Sequence, residues 1–489
     1  MGIRRYRKYR KDFPVSEGFR LWLIKAFAMP ALLATPARAP GQPPASRLDK
    51  TARERLAPWD LRIDDGDRLR VSGGHDLPDL LRRRLGEATG VPDGVVYPRH
   101  EAEVQTLLTL CAELDIAVVP VAGDDSVTIS TGAHKALVAL DMSGLNRIIS
   151  QDLISGLIEV EAGISGAELE RQLDAQGMTL GQTFDSSFGD TSLGGWIASA
   201  DTLPAPVQAV RVATPQGTVP LRSGLKHLLA ASRARLGVIT SATLRVRPKP
   251  ADGECHAYLF RDFAAGIAVL RQAARAGIAL GPVFLADDGA TRFERAMRRR
   301  RRWDFSQRLY EAWLILRDFD NGVARLVVSF PGKKAQRELA RKSFEALAKK
   351  PGILKLGKAQ PPQPYPRDCL LELGMGIDRL QISVTWSELP LAYARLRAGL
   401  KQAMRAHPPV AGAHGLVLAH VTELRTDGAL LTVTWLFPRK LEQEVAQATA
   451  IRQVALAVPG RTTAQGLEQQ MRGAIKRTVD PRNILPPQA

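Results

Sequence analysis

Gly194 and Gly195 stand side by side in Ser192-Leu-Gly-Gly-Trp-Ile-Ala-Ser199, and Gly123 lies in a second small-residue stretch, Pro120-Val-Ala-Gly-Asp-Asp-Ser126. A glycine-rich turn lets backbone N–H groups approach a phosphate with no Cβ in the way. A lone glycine pair is usually only a tight turn, so its weight depends on its surroundings. Cationic side chains supply another anion chemistry: residues 1–50 hold eleven Lys or Arg against three acids, and five arginines run from Arg298 to Arg302. Both runs read either as a solvated face or as a phosphate or lipid-surface contact. The net charge of +18 would attract phosphates, nucleic acid or anionic lipid without specifying a fold, and no specific nucleic-acid partner is expected. Cys111, Cys255 and Cys369 are far apart with no Cys-x-x-Cys spacing, so neither a disulfide framework nor a zinc site is indicated and a reducing compartment fits.

These residues need elements to hold them, and 489 residues are enough for two or three domains. The run Leu21–Pro36 is apolar but contains Lys25 and Pro30 and falls short of the roughly 20 apolar residues of a membrane span. Asp12 and Glu17 are atypical of a secretory signal. The basic-then-apolar order suits a segment lying on an anionic bilayer, with Trp22, Leu23 and Phe27 dipping inward. Localisation is thus expected to be cytoplasmic, with peripheral membrane contact through the N-terminus as an open alternative. Thr35–Ser46 reads as an extended linker, and folding is expected to start near residue 50. Residues 1–50 are taken as the basic segment and linker, 51–93 as a lead-in, 94–250 as one domain and 251–489 as another. Within Gly94–Pro250, short β-branched runs alternate with helical segments, and Val104, Leu107, Leu108, Leu110 and Cys111 give one helix an apolar face. After Pro250, extended runs and helices predict a sheet covered by helices on one face, and no solenoid or propeller repeat is present.

Four segments stand in a telling order: Val96–Pro120, Val138–Ile149, Leu157–Leu180 and Ser192–Ser199, followed by Val210–Val219 and Leu236–Pro250. Together they resemble the FAD-binding, PCMH-type domain of FAD-linked oxidases of the vanillyl-alcohol-oxidase type. The resemblance implies an α+β fold: a two-subdomain FAD-binding domain followed by an α+β cap domain that returns to it at the C-terminus. It also implies FAD as cofactor, held near Pro120, Gly123, Ser126, Ser192, Gly194, Gly195, Gly237, Val238 and Ile239, with the Gly194-Gly195 turn facing between the two subdomains. Tyr365-Pro-Arg-Asp-Cys-Leu-Leu-Glu-Leu-Gly-Met-Gly-Ile-Asp378 is similar to a signature of the alkylglycerone-phosphate synthases, and the match continues through His420, Asp427-Gly-Ala429 and Val479–Leu485. In that family an arginine like Arg367 binds the substrate phosphate, which suits a planar fork of donors; a structural Arg–Asp turn is the alternative.

The chain departs from the family in several places. Asp124 and Asp125 would put carboxylates near phosphates, only Ala200–Pro206 follows the glycine-pair segment, and Ala231–Val238 has lost two glycines of the family element. Thr432 stands where the synthases carry a tyrosine, and Gly460–Gly466 has no histidine where they have a cluster. His414 or His420 could take over the proton transfers if it faces the flavin; otherwise His420 belongs to the strand surface or core. The expected function is that of an FAD-binding, oxidoreductase-like flavoprotein related to these ether-lipid enzymes. Its expected substrate is phosphorylated or lipid-like, met in an active site with degenerate motifs. The alternative is a non-catalytic relative that keeps the scaffold to bind a partner or a membrane surface. A homodimer is compatible with either.

Overall fold

The computed structural model describes residues 15–74, 76–122, 135–181, 189, 191–200, 203–230, 232–249, 253–298, 309, 312–317, 319, 322–348, 353–362, 365–457 and 467–486. The chain divides into two compact units, one of Ala37–Gly181, Ser186–Lys249 and Thr462–Ala489, the other of Met1–Pro36, Gln182–Asp185 and Pro250–Arg461.

The first unit contains two main sheets and a separate two-stranded pair. Strands β1 (Gly94–Val96), β2 (Ala117–Val121) and β3 (Leu137–Asp141) form a parallel sheet with β3 in the middle. Parallel neighbours need a crossover, and the helix Glu101–Glu113 supplies it between β1 and β2. Its Val104, Leu107, Leu108, Leu110 and Cys111 are buried against Val138, Leu140, Ile484 and Leu485. The C-terminal tail is tied to this sheet by the Val118 N–H, which donates to the Ile484 carbonyl at 2.7 Å. Burial pushes the Cys111 thiol up to about 12, so it acts as a packing residue and not as a nucleophile.

The second sheet is antiparallel. It runs β4 (Ile148–Asp152), β5 (Leu157–Glu161), β9 (Val238–Arg245), β7 (Val207–Thr214) and β8 (Gly217–Leu221), while β6 (Met178–Thr179) and β10 (Arg247–Pro248) pair separately. The helices Gly166–Asp174 and Leu193–Ser199 bury Leu169, Leu173, Leu193 and Ile197 in its core. This is the expected pair of α+β subdomains.

The other unit is built on a seven-stranded antiparallel sheet. Its strands are β11 (Gly253–Phe260), β12 (Val283–Ala286), β13 (Ala324–Pro331), β14 (Ile353–Lys358), β15 (Met375–Thr385), β16 (Leu416–Leu424) and β17 (Gly428–Pro438), in the order β14-β11-β13-β12-β16-β17-β15. Helices cover both faces, not the one face expected. Leu285 packs against Gly266 of the helix Phe263–Arg275 on one side, while the next residue, Ala286, joins Phe293 of the helix Asp288–Met297 on the other. Nearly every residue of β17 is buried, as a strand covered on both faces requires.

The N-terminus corrects a second expectation. The helix Glu17–Ala26 is capped by Ser16, and its Phe19 and Leu23, with Phe27 just beyond, are 0% exposed. Phe19 and Trp22 meet the Phe293 ring edge-on at 5.6 and 5.8 Å. The side chains assigned to a bilayer are therefore core residues, because the helix's apolar face finds an aromatic partner inside the protein. Ordered structure begins well before residue 50. The basic run at residues 4–11 lies outside the described residues, and no helix among those described is long and apolar enough to cross a membrane.

Candidate functional site

In the first unit, the glycine pair is the start of a helix and not an open turn. Ser192 is the N-cap of Leu193–Ser199, its Oγ accepting from the Gly195 N–H at 3.0 Å, as serine does ahead of a free first turn. The Leu193 N–H donates to the Ile164 carbonyl at 2.9 Å and the Gly194 N–H to the Ala162 carbonyl at 2.8 Å. The Gly194 and Gly195 amides expected to face a phosphate are thus engaged within the chain. Glycine at 194 serves close packing: a Cβ there would stand 3.2 Å from the Ala162 Cβ. At Gly237 the need is stronger, since φ is +143° and a Cβ would come within 2.3 Å of Val212 Cγ1. Val238 and Ile239 are buried in β9, and Pro120 lies opposite Leu140 in β2. Gly123, Asp124, Asp125 and Ser126 lie outside the described residues.

In the second unit, strand register assembles a polar row. Arg325, Ala286, His420, Thr432 and Gln381 are successive partners across β13, β12, β16, β17 and β15, so their side chains share one face. The Gln381 Nε2 donates to Thr432 Oγ1 at 3.2 Å. Above the row lie Glu294, from the helix Asp288–Met297, and Tyr365, from just before the helix Arg367–Glu372. Tyr365 Oη is 2.8 Å from His420 Nε2, and the His420 ring packs on Phe284 with centroids 4.4 Å apart. Arg325 Nη1 donates to Glu294 Oε2 at 3.1 Å, leaving Glu294 Oε1 without a hydrogen bond among the described residues and 3.7 Å from His420 Nε2.

Burial, reinforced by the negative charges of Glu294 and Asp287, holds the Tyr365 hydroxyl well above the ordinary tyrosine range. Tyr365 therefore stays protonated, with its hydroxyl at hydrogen-bond distance from His420 Nε2. Glu294 Oε1, without a hydrogen bond among the described residues, is an acceptor beside the same ring nitrogen. His420 is only 3% exposed, so it satisfies the core reading of its strand position while keeping a titratable partner. Behind it, Asp287 caps the helix and accepts from Tyr393 Oη at 2.9 Å; burial pushes its carboxyl up. Tyr365, Glu294 and Arg325 carried no functional role in the sequence reading. The available signal was Asp287, Ala290, Thr291 and Glu294 at i, i+3, i+4 and i+7, two carboxylates on the buried stripe of one helix.

Arg367 opens its short helix and lies near Asp378, whose carboxyl burial pushes up against the pull of Arg452 and then Arg367. Arg452 Nη1 makes the direct bond to Asp378, at 2.6 Å. His414 lies in the loop before β16, its backbone N–H donating to the Phe27 carbonyl, and is not part of the polar row. Gly460–Gly466 lies outside the described residues.

Residues 92–220 match the family model of an FAD binding domain, and residues 249–465 match that of the C-terminal domain of FAD linked oxidases. The chain is 26% identical over 422 residues to an alkyldihydroxyacetonephosphate synthase of Dictyostelium discoideum, covering 80% of this chain and 68% of that protein. To the synthase of that name from Trypanosoma brucei brucei it is 24% identical over 440 residues, with 83% and 71% covered. Among solved structures, an alkyldihydroxyacetonephosphate synthase superposes with a TM-score of 0.78 at 25% identity, over 96% of this chain and 91% of that one. A p-cresol methylhydroxylase shares the fold, with a TM-score of 0.66 at 15% identity over 88% of this chain and 94% of its own. Dihydroxyacetone is glycerone, so these relatives are synthases of the kind whose signature the Tyr365–Asp378 segment resembles.

Proposed function

We propose that the chain, which matches the family models of an FAD binding domain and of the C-terminal domain of FAD linked oxidases and is related to alkyldihydroxyacetonephosphate synthase, is an FAD-dependent enzyme acting on a phosphorylated, lipid-like substrate. In this reading the Tyr365–His420 pair stands in for the histidine cluster missing from Gly460–Gly466. With the first-turn amides at Leu193–Gly195 engaged, other donors to an FAD diphosphate are needed; the sequence offers Gly123 and Ser126, which lie outside the described residues. FAD, when bound, supplies the electrophilic or electron-accepting centre that no protein side chain provides. The protein's own share is binding and proton handling. Arg367 is assigned to the substrate phosphate, Tyr365 fixes the imidazole of His420, and Glu294, held in place by Arg325, faces the nitrogen through which His420 would carry a proton. Three free thiols fit a cytoplasmic setting.

The carrying observation is the 2.8 Å contact between Tyr365 and a buried His420 with Glu294 Oε1 left unfilled beside them. A scaffold kept only to bind a partner has no use for a buried ionisable group with a spare acceptor, since such a group costs stability. The test is exchange of a fatty alcohol for the acyl chain of acyl dihydroxyacetone phosphate, with FAD added, by the native protein and by His420→Ala. Turnover by the native protein and a loss of roughly 10²–10⁴-fold in the variant are expected, the usual worth of a positioned proton carrier. Equal turnover by both would remove His420 from the reaction, and no turnover by native protein that retains FAD would remove this substrate class.

A further inference from the structure

At the sheet edge opposite β15, a cavity of 460 Å³ lies between the sheet and the helix Lys334–Leu347. It arises because the helix is seated at one end only. Phe344, the one fully buried residue of this helix, packs against Tyr258 and Phe330 with ring centroids 5.4 and 5.9 Å away and draws the helix's last turns onto the sheet. The first half carries Lys334, Arg337 and Glu338, which line the space instead of filling it. Register builds the floor: Glu254 lies opposite Phe330 and His256 opposite Lys358, so all four side chains point toward the helix.

The charges are unbalanced. Lys358 Nζ is 3.0 Å and Arg337 Nη2 3.6 Å from the same oxygen of Glu254, and His256 Nε2 is 3.4 Å from its other oxygen. Glu345, at the inner end, takes both Lys355 at 2.6 Å and Arg341 at 3.1 Å. Lys334 pairs with no carboxylate among the described residues. Lys334, Arg337, Arg341, Lys355 and Lys358 thus face Glu254, Glu338 and Glu345, an excess of two positive charges before His256 is counted. Arg337 is held in place, its side chain only 14% exposed and its Nη1 donating to the Gly332 carbonyl at 3.3 Å.

We propose that this cavity, on the face of the sheet opposite the His420 row, is a binding site for a phosphomonoester. A dianionic phosphate matches the charge excess, Arg337 holds its guanidinium charge in place at the cavity wall, and Lys334 and Lys358 add point charges from opposite walls. The positive end of the 14-residue helix lies on the same side. Phe330 gives an apolar floor for the carbon skeleton attached to the phosphate. The same chemistry is offered by a soluble ester such as glycerol 3-phosphate and by the headgroup of phosphatidic acid.

Calorimetric titration of the full-length protein with glycerol 3-phosphate and co-sedimentation with phosphatidylcholine vesicles, with and without phosphatidic acid, distinguish the two sources. The variants are Lys334→Glu, at an exposed position where folding is undisturbed, and Arg337→Ala/Lys358→Ala; Arg367→Ala serves as control for the other proposed phosphate contact. We expect saturable binding that weakens tenfold or more in both pocket variants and persists in Arg367→Ala, on the roughly tenfold scale of one or two charge-assisted bonds. Binding of the soluble ester assigns the site to a metabolite; binding only of phosphatidic acid vesicles assigns it to a membrane headgroup. Binding unchanged by the pocket variants, or lost in Arg367→Ala alone, would overturn the proposal.

Discussion

Asp93 shows how a single carboxylate can bind distant parts of the chain. Its Oδ1 accepts from the Arg47 backbone N–H at 2.7 Å, its Oδ2 from the Leu137 N–H at 2.8 Å, and the Arg47 guanidinium grips both oxygens. Burial opposes the charge, but Arg47 and the two amides hold the carboxyl below its ordinary 3.8. With the folded value below the unfolded one, the stabilisation is present above 3.8 and is lost as pH falls through the lower folded value. Asp93→Ala should therefore cost about 2 kcal/mol near neutrality, the scale of losing hydrogen bonds to a charged group. In urea unfolding, the gap from the native protein should close in strong acid; a gap that widens as the pH falls would contradict the assignment. His420 was half legible in the same sense. Its strand was readable from Leu416–Leu424, but its partners Tyr365 and Glu294 are 55 and 126 residues away in sequence, and no local spacing announces such a contact.

Among elements, the helix Glu17–Ala26 decides most between competing accounts. A basic leader before an apolar stretch has one composition whether its apolar face meets lipid or protein, which is why the bilayer reading of Trp22, Leu23 and Phe27 missed their place in the fold. The structure seats Phe27 at 0% exposure while leaving Leu21 at 39%. Phe27→Ala should cost about 3–5 kcal/mol, as emptying a core phenylalanine site does. Leu21→Ala should stay within about 0.5 kcal/mol, as surface changes do. Thermal unfolding without lipid checks both; if Phe27→Ala is neutral there, the helix is not core. The helix Glu101–Glu113 was fully legible from its apolar spacing. The helix at Gly194-Gly195 was not, because two glycines argue against a helix locally and only Ser192 and the carbonyls of Ala162 and Ile164 reveal where their amides go. Likewise, long apolar strands such as β17 indicated burial on both faces, which a helical pattern read only one side at a time understated.

For the whole molecule, the most secure reading came from the order of motifs, since the strands and helices of Gly94–Pro250 and the Tyr365–Asp378 segment each constrain the others. Fold and cofactor class follow from that order, whereas proton carriers and charged cavities depend on register between strands far apart in the chain. The net charge of +18 is consistent with several anionic ligands and singles out none of them. The central claim is that this scaffold still holds FAD despite the departures around Asp124, Ala231 and the engaged amides at Gly194 and Gly195. It is tested most directly by the absorption spectrum of the purified protein after incubation with excess FAD and removal of unbound cofactor by gel filtration. We expect flavin bands to elute with the protein in near-stoichiometric amount. A spectrum showing only aromatic absorbance, from protein whose circular dichroism is that of a folded chain, would contradict the account.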